Sequence, residues 1–197
     1  MTNEYILQNR KTKHPVHELI LNRWSSRAMS GEDLTQEEID TLFDAARFAP
    51  SSYNEQPWHF FYVTRASEQW NTFINLMVDA NKVWGEKAGI LIIACSKRIS
   101  SHTGKENYYH KHDTGAACYA LTLQASAMDL VSHQMGGFDK QKAKEVLELD
   151  DTHTVEAMIV VGKKGDVSDL PEDYQKLEQA SGRNDITVIA SEFTGTK

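Results

Sequence analysis

The sequence predicts one domain that mixes helices with strands, and three observations carry that prediction. Two apolar runs, Gly89 to Cys95 and Val155 to Val161, have the length and continuity of strands covered on both faces. Thr35-Gln36-Glu37-Glu38 is a capping box, followed by Ile39, Leu42, Phe43 and Ala46 at helical spacing. Thr114 to Leu130 is Ala-rich and reads as a long helix between the two strands. The 197 residues are 40% hydrophobic and 25% charged, enough for one core without disulfide or metal staples. No linker or repeat divides them, so residues 1–197 are read as a single domain.

Taken in order, Arg10-Lys11-Thr12-Lys13-His14 is basic and closes a solvated N-terminal arm over residues 1–14. Pro15 suits the first turn of a helix running to about Asn22, with Val16, Leu19 and Ile20 on one face. The helix after Thr35 is stopped by Pro50. His59 to Thr64, rich in aromatic and β-branched residues, is a strand. Ser67 to Asn81 is an amphipathic helix with Trp70, Phe73, Ile74 and Met77 inward. Asp113 caps the Ala-rich helix. Apolar residues spread around most of that helix, which predicts burial on several sides, in a core or at a subunit contact. Asp139 caps a short helix carrying Ala143, Val146 and Leu147. Leu170 to Ala180 is a weaker helix, and Asp185 to Phe193 alternates as a terminal strand or an extended arm would.

Composition narrows the function. Twenty-one Lys+Arg against 28 Asp+Glu give a net charge of -7, which disfavours nucleic acid as a partner. The longest apolar stretch, Ala88 to Cys95, is too short to span a bilayer, and no signal peptide is apparent, so the chain reads as cytoplasmic. Cys95 and Cys118 read as reduced, buried thiols. Neither common nucleotide fingerprint and no nucleophile elbow is present. His102, His110 and His112 lie in a polar stretch, 97–113, that reads better as a substrate-covering loop than as a metal site.

Three segments stand out. Arg23-Trp24-Ser25-Ser26-Arg27 sets two guanidiniums around two hydroxyls, which suits either an anionic ligand such as a phosphate or a surface ion-pair cluster. Pro50-Ser51-Ser52-Tyr53-Asn54-Glu55-Gln56-Pro57-Trp58 is a rigid, donor-rich turn between a helix and a strand. Plain turn chemistry explains its prolines, serines and Asn54 but not Gln56 directly before Pro-Trp. Met135-Gly136-Gly137-Phe138-Asp139 pairs glycines that let a backbone approach a ligand, although most such pairs are turns.

Together and in this order, over residues 15 to 195, these segments resemble the nitroreductase family of FMN-dependent oxidoreductases. The resemblance implies an α+β fold, a mainly antiparallel central sheet flanked by helices, and an intertwined homodimer with FMN sites at the subunit interface. Arg23, Trp24, Ser25 and Arg27 fall in the first FMN element, with Arg23 and Ser25 on the 5′-phosphate and Arg27 at the pyrimidine edge. Pro50, Ser51, Ser52 and Asn54 fall in the element given by the partner subunit. Asn81 matches a contact to the flavin ring, and Arg183 a late basic residue on the phosphate. Gly136 matches the backbone N–H that faces flavin N5, the one catalytic position, with Gly137 beside it. Two positions depart from the pattern: Trp24 replaces a basic or His side chain, and Trp84 a Lys near the flavin.

The activity implied is hydride transfer from NAD(P)H through flavin to a nitroaromatic, quinone or similar acceptor, in ping-pong order. Dehalogenation, azoline oxidation and flavin fragmentation occur on the same scaffold, and a flavin-binding protein without turnover is the non-enzymatic alternative. A cation beside the pyrimidine edge favours the reduced flavin, so no acid–base pair on the protein is required.

Overall fold

A computed structural model describes residue 6 and residues 8–195. Residues 1–5 and 7, which the sequence reading places in the N-terminal arm, and residues 196–197 lie outside the described residues.

The centre is a four-stranded antiparallel sheet of order β1-β2-β4-β3. Its strands are β1 (Trp58–Thr64), β2 (Ile90–Lys97), β3 (Leu130–Met135) and β4 (His153–Lys163). The longer helices are α1 (Glu18–Asn22), α2 (Gln36–Arg47), α3 (Trp70–Ile74), α4 (Asp79–Gly85), α5 (His110–Ala127) and α6 (Lys140–Val146). Single turns α7 (Glu172–Gln175) and α8 (Ile186–Ile189) follow.

The apolar run in β2 has a direct structural reason. Successive strand residues point to opposite faces. Ile90, Ile92 and Ala94 meet Leu42, Ala46, Ala117 and Leu121 of α2 and α5 on one face. Leu91, Ile93 and Cys95 meet Phe73, Trp84 and Met158 on the other. All residues from Ile90 to Cys95 are fully buried, so an antiparallel sheet carries the continuous pattern usual for parallel ones. Each large aliphatic side chain there contributes about 1.5–3 kcal/mol of burial.

The capping box forms as read: Glu38 N donates to Thr35 Oγ1 at 3.2 Å and Thr35 N to Glu38 Oε2 at 2.8 Å. The short helix after Asp139 also forms, with Asp139 Oδ1 accepting from Lys142 N.

The structure refines several expectations. First, α5 starts at His110, so Asp113 lies in its first turn and Tyr109 holds the cap position. The connecting loop is therefore 98–109, shorter than the expected 97–113, and Ile99 pairs with Glu106 inside it. A hydrogen-bonded polar group draws the helix start back into the histidine stretch. Ser96 Oγ lies 2.7 Å from His110 Nδ1 and donates to Glu156 Oε1 at 2.6 Å. Second, within one chain α5 buries the face of Ala117, Cys118, Leu121 and Ala125 and leaves Tyr119 exposed, the side on which the expected subunit contact would fall.

Third, the expected helix over Ser67 to Asn81 is two helices, α3 and α4. Between them Met77 pairs with Phe138, Val78 N donates to Gly137 O at 3.1 Å and Asp139 N donates to Leu76 O at 2.8 Å. These long-range bonds outweigh helix continuation. Fourth, β3 is a strand that the pattern did not predict, because Ser132, His133 and Gln134 interrupt its apolar residues. Fifth, only Glu172–Gln175 of the expected helix Leu170 to Ala180 is helical. After it, Asp185 caps the single turn α8, and the chain then continues without regular structure.

The first helix is shorter than read, starting at Glu18, and Val16 and Ile20 remain exposed. Among the described residues no helix is long and apolar enough to cross a membrane.

Candidate active site

The segment after α1 is extended and docks beside the ends of β3 and β4. Ser30 N donates to Lys163 O and Gly165 N to Ala28 O, both at 3.0 Å. Residues 26–28 of this segment are held by a residue the sequence reading missed. The Glu178 side chain, 1% exposed, accepts from Arg27 N at 2.8 Å, Ala28 N at 3.0 Å and Ser26 Oγ. That carboxylate also lies 3.9 Å from Arg27 Nη1. Two backbone N–H groups and a hydroxyl thus replace its water shell.

Arg27 lies over the Trp84 ring, 5.9 Å from its centroid, and Trp84 stacks on His133 at 4.6 Å. Trp84 is 1% exposed, so a fully buried indole occupies the position that departs from the family pattern. His133 Nδ1–H donates to Ser26 O at 3.2 Å. Burial pushes the His133 pKa down to about 4, so the ring is neutral near pH 7.

Arg10 is the second residue the sequence reading missed. It is 7% exposed, not solvated as expected of the arm, whereas Lys11 to His14 are exposed. Its Nη1 donates to Leu21 O at 2.8 Å and Arg23 O at 2.5 Å, and its Nε to Ser181 O at 3.3 Å. Arg183 Nη1 donates to the same Ser181 O at 3.1 Å. Burial, then Arg183, then Arg23 lower the Arg10 pKa to about 10. Burial and Arg183 likewise lower that of Arg23. Both stay charged at neutral pH, so the fold gathers three guanidiniums from distant parts of the chain. No local signal marks Arg10, because its partners are backbone carbonyls far along the sequence.

Asn81, from α4, reaches the Gly-Gly turn after β3. Its Nδ2 donates to Gly137 O at 3.0 Å and lies 3.3 Å from Met135 Sδ. A Cβ on Gly137 would come within 2.7 Å of Asn81 Nδ2, so a larger residue there would displace the Asn81 amide from its bond to Gly137 O. A Cβ on Gly136 would meet nothing within 4 Å, so a ligand can approach that backbone.

The Pro50 to Trp58 turn is built differently. Tyr53, Asn54 and Gln56 all have left-handed backbones, at φ of 52°, 55° and 46°. Such non-glycine positions cost about 1–3 kcal/mol each and persist only where surroundings fix them. Ser51 Oγ accepts from Gln56 N at 3.0 Å, and Gln56 Nε2 donates to Asn54 O at 3.2 Å. This is the role of Gln56 that turn chemistry left unexplained. Ser52 N donates to Asp113 Oδ2 at 2.9 Å, anchoring the turn to α5. Glu55 accepts from Ser100 Oγ and from Ser101 N at 2.9 Å, which ties the turn to loop 98–109 and holds the Glu55 pKa near 2. Tyr53 projects outward, 91% exposed. Among the described residues no hydrogen bond or ion pair joins Ser51, Ser52 or Asn54 to Arg23, Arg183 or Gly136.

This arrangement can be compared with known proteins. The profile of the Nitroreductase family matches residues 20–163. The chain belongs to the nitroreductase family. A solved oxidoreductase containing FMN shares 36% of its residues with this member, at a TM-score of 0.89, covering 95% of this chain and 97% of the other. The oxygen-insensitive NADPH nitroreductase of Helicobacter acinonychis is 27% identical over 183 residues, covering 74% of this chain and 86% of the relative. A nitroreductase family protein of Streptococcus pneumoniae shares the fold at a TM-score of 0.72 and 20% identity, over 89% and 98% of the two chains. The nitroreductase match ends at residue 163, so Glu178 and Arg183 lie beyond it, while the structural match to the FMN-containing oxidoreductase spans nearly the whole chain.

Proposed function

We propose that this nitroreductase-family protein is an FMN-dependent NAD(P)H oxidoreductase that works as a homodimer. The observation that carries the reading is the meeting of Arg10, Arg23 and Arg183: Arg10 donates to Arg23 O and shares Ser181 O with Arg183, and the charge of Arg183 acts on both other arginines. Converging guanidiniums repel one another, and a dianionic phosphate offsets that repulsion while using their planar donors. The open side of Gly136 adds room for a flat ring at the backbone, so the residues present fit FMN.

In this reading Arg23, Ser25 and Arg183 hold the phosphate, with Trp24 beside them. Arg27, kept in place by Glu178 and Trp84, supplies a cation at the pyrimidine edge. Asn81 fixes the Gly137 carbonyl and so steadies the Gly-Gly turn, whose Gly136 N–H faces the flavin N5 position in this reading. Pro50, Ser51, Ser52 and Asn54 serve the site of the partner subunit, which accounts for a conformationally fixed turn whose Tyr53 is exposed. FMN, when bound, would supply two-electron chemistry between NAD(P)H and a nitroaromatic or quinone, in ping-pong order. The protein residues bind and orient, and none of them needs to titrate.

The exposed apolar side chains support the dimer. Ile186, Val188, Ile189 and Phe193 are 57%, 71%, 72% and 84% exposed, more apolar surface than a short solvated tail carries by chance. Anaerobic addition of NADPH or NADH to the FMN-loaded protein tests the function. Bleaching that a quinone or nitroaromatic reverses supports it; a flavin that stays oxidised with both nucleotides contradicts it.

A further inference from the structure

We propose that Arg10 is a positioning residue that assembles the phosphate-binding site by clamping the segment of Arg23 to the segment of Arg183; the inference rests on the FMN reading above. The two segments lie at opposite ends of the chain; Glu178 ties the second to Ser26, Arg27 and Ala28, and Arg10 ties it to the stretch that ends at Arg23. Arg10 bridges them directly. One edge of its guanidinium takes the Leu21 and Arg23 carbonyls, and its Nε takes Ser181 O, to which Arg183 also donates. Three of the five guanidinium hydrogens are thus spent on carbonyls that flank the two candidate ligands.

Two features separate this from an ordinary buried arginine. Tying three carbonyls together does not require a second and third cation nearby, yet Arg23 and Arg183 both act on Arg10 as like charges. The arrangement is unfavourable on its own and becomes favourable when an anion sits among the guanidiniums. A planar fork is also needed. A lysine keeps the charge, but its donors radiate from one point on a flexible stem and cannot span carbonyls on two segments.

The test is Arg10→Lys, read as affinity for FMN and for riboflavin, which lacks the phosphate, by quenching of flavin fluorescence. FMN affinity is expected to fall roughly 10- to 100-fold while riboflavin affinity changes less than about 3-fold. Equal losses for both ligands, or no loss for either, overturn the inference, because a purely structural arginine moves both together. Should Arg10→Lys fail to fold by circular dichroism, Arg10→Gln is read by the same ratio. A second measurement uses Arg183→Ala. With Arg183 already removed, Arg10→Lys is expected to cost clearly less FMN affinity, and strictly additive losses overturn the clamp. A wild-type chain that binds neither flavin overturns the FMN reading itself, an outcome distinct from the variant results.

Discussion

Asn81 Nδ2 donates to Gly137 O at 3.0 Å, joining α4 to the Gly-Gly turn after β3. This bond couples the helix pair to the backbone proposed to face the flavin. Asn81→Ala is expected to lower FMN affinity by about 10-fold and stability by about 1 kcal/mol, from one lost hydrogen bond. Gly137→Ala, which drives a Cβ to 2.7 Å from Asn81 Nδ2, is expected to lower both as well. Gly136→Ala has open space for its Cβ and is expected to keep the melting temperature while weakening FMN binding. Fluorescence titration beside thermal melts of the three variants separates these outcomes.

Glu178 predicts a larger stability effect. Its carboxylate serves Arg27 N, Ala28 N and Ser26 Oγ with almost no solvent contact. Glu178→Ala strands buried donors, so a loss of about 2–4 kcal/mol is expected. Urea unfolding is the check, with the midpoint falling and the slope unchanged. Glu178→Gln, which keeps one acceptor oxygen, is expected to lose less.

His133 predicts an acid limb. Its folded pKa is pushed below the ordinary 6.5, to about 4, by burial. The unfolded chain therefore binds a proton that the folded chain refuses. Stability contributed by the neutral ring is complete above pH 6.5 and is lost as pH falls toward 4, by about 3 kcal/mol in all. His133→Gln keeps an amide donor for Ser26 O and is expected to flatten that limb in denaturant melts taken between pH 4 and pH 7.

Much of this was legible from sequence where the signal is local. The capping box at Thr35 and the runs in β2 and β4 are short-range patterns, and the structure follows them. Candidate ligands were legible as residue types in order: Arg23 and Arg183 are gathered by the fold, and Asn81 meets Gly137. What the sequence hid depends on partners far along the chain. Arg10 looked like one more basic residue of an arm, because carbonyls from residues 21, 23 and 181 carry no side-chain signature. Glu178 looked like a helix residue, and the break at Val78 looked like the middle of a helix, for the same reason. β3 was hidden by its polar centre, where His133 packs on the core indole of Trp84 and bonds Ser26 O.

The apolar tail predicts an association. Val188 and Ile189 are mostly exposed in the single chain. Replacing both with Asp is expected to shift the protein from dimer toward monomer in sedimentation velocity and to reduce FMN retention with it. Retention of FMN by a wild-type monomer would remove the shared site.

The most direct test of the central claim is the visible absorption spectrum of the purified chain after incubation with FMN and gel filtration. The account predicts a yellow protein with about one flavin per chain, and loss of that flavin when Arg23 and Arg183 are both replaced with Ala. A colourless wild-type protein, or a double variant that retains FMN unchanged, would contradict it.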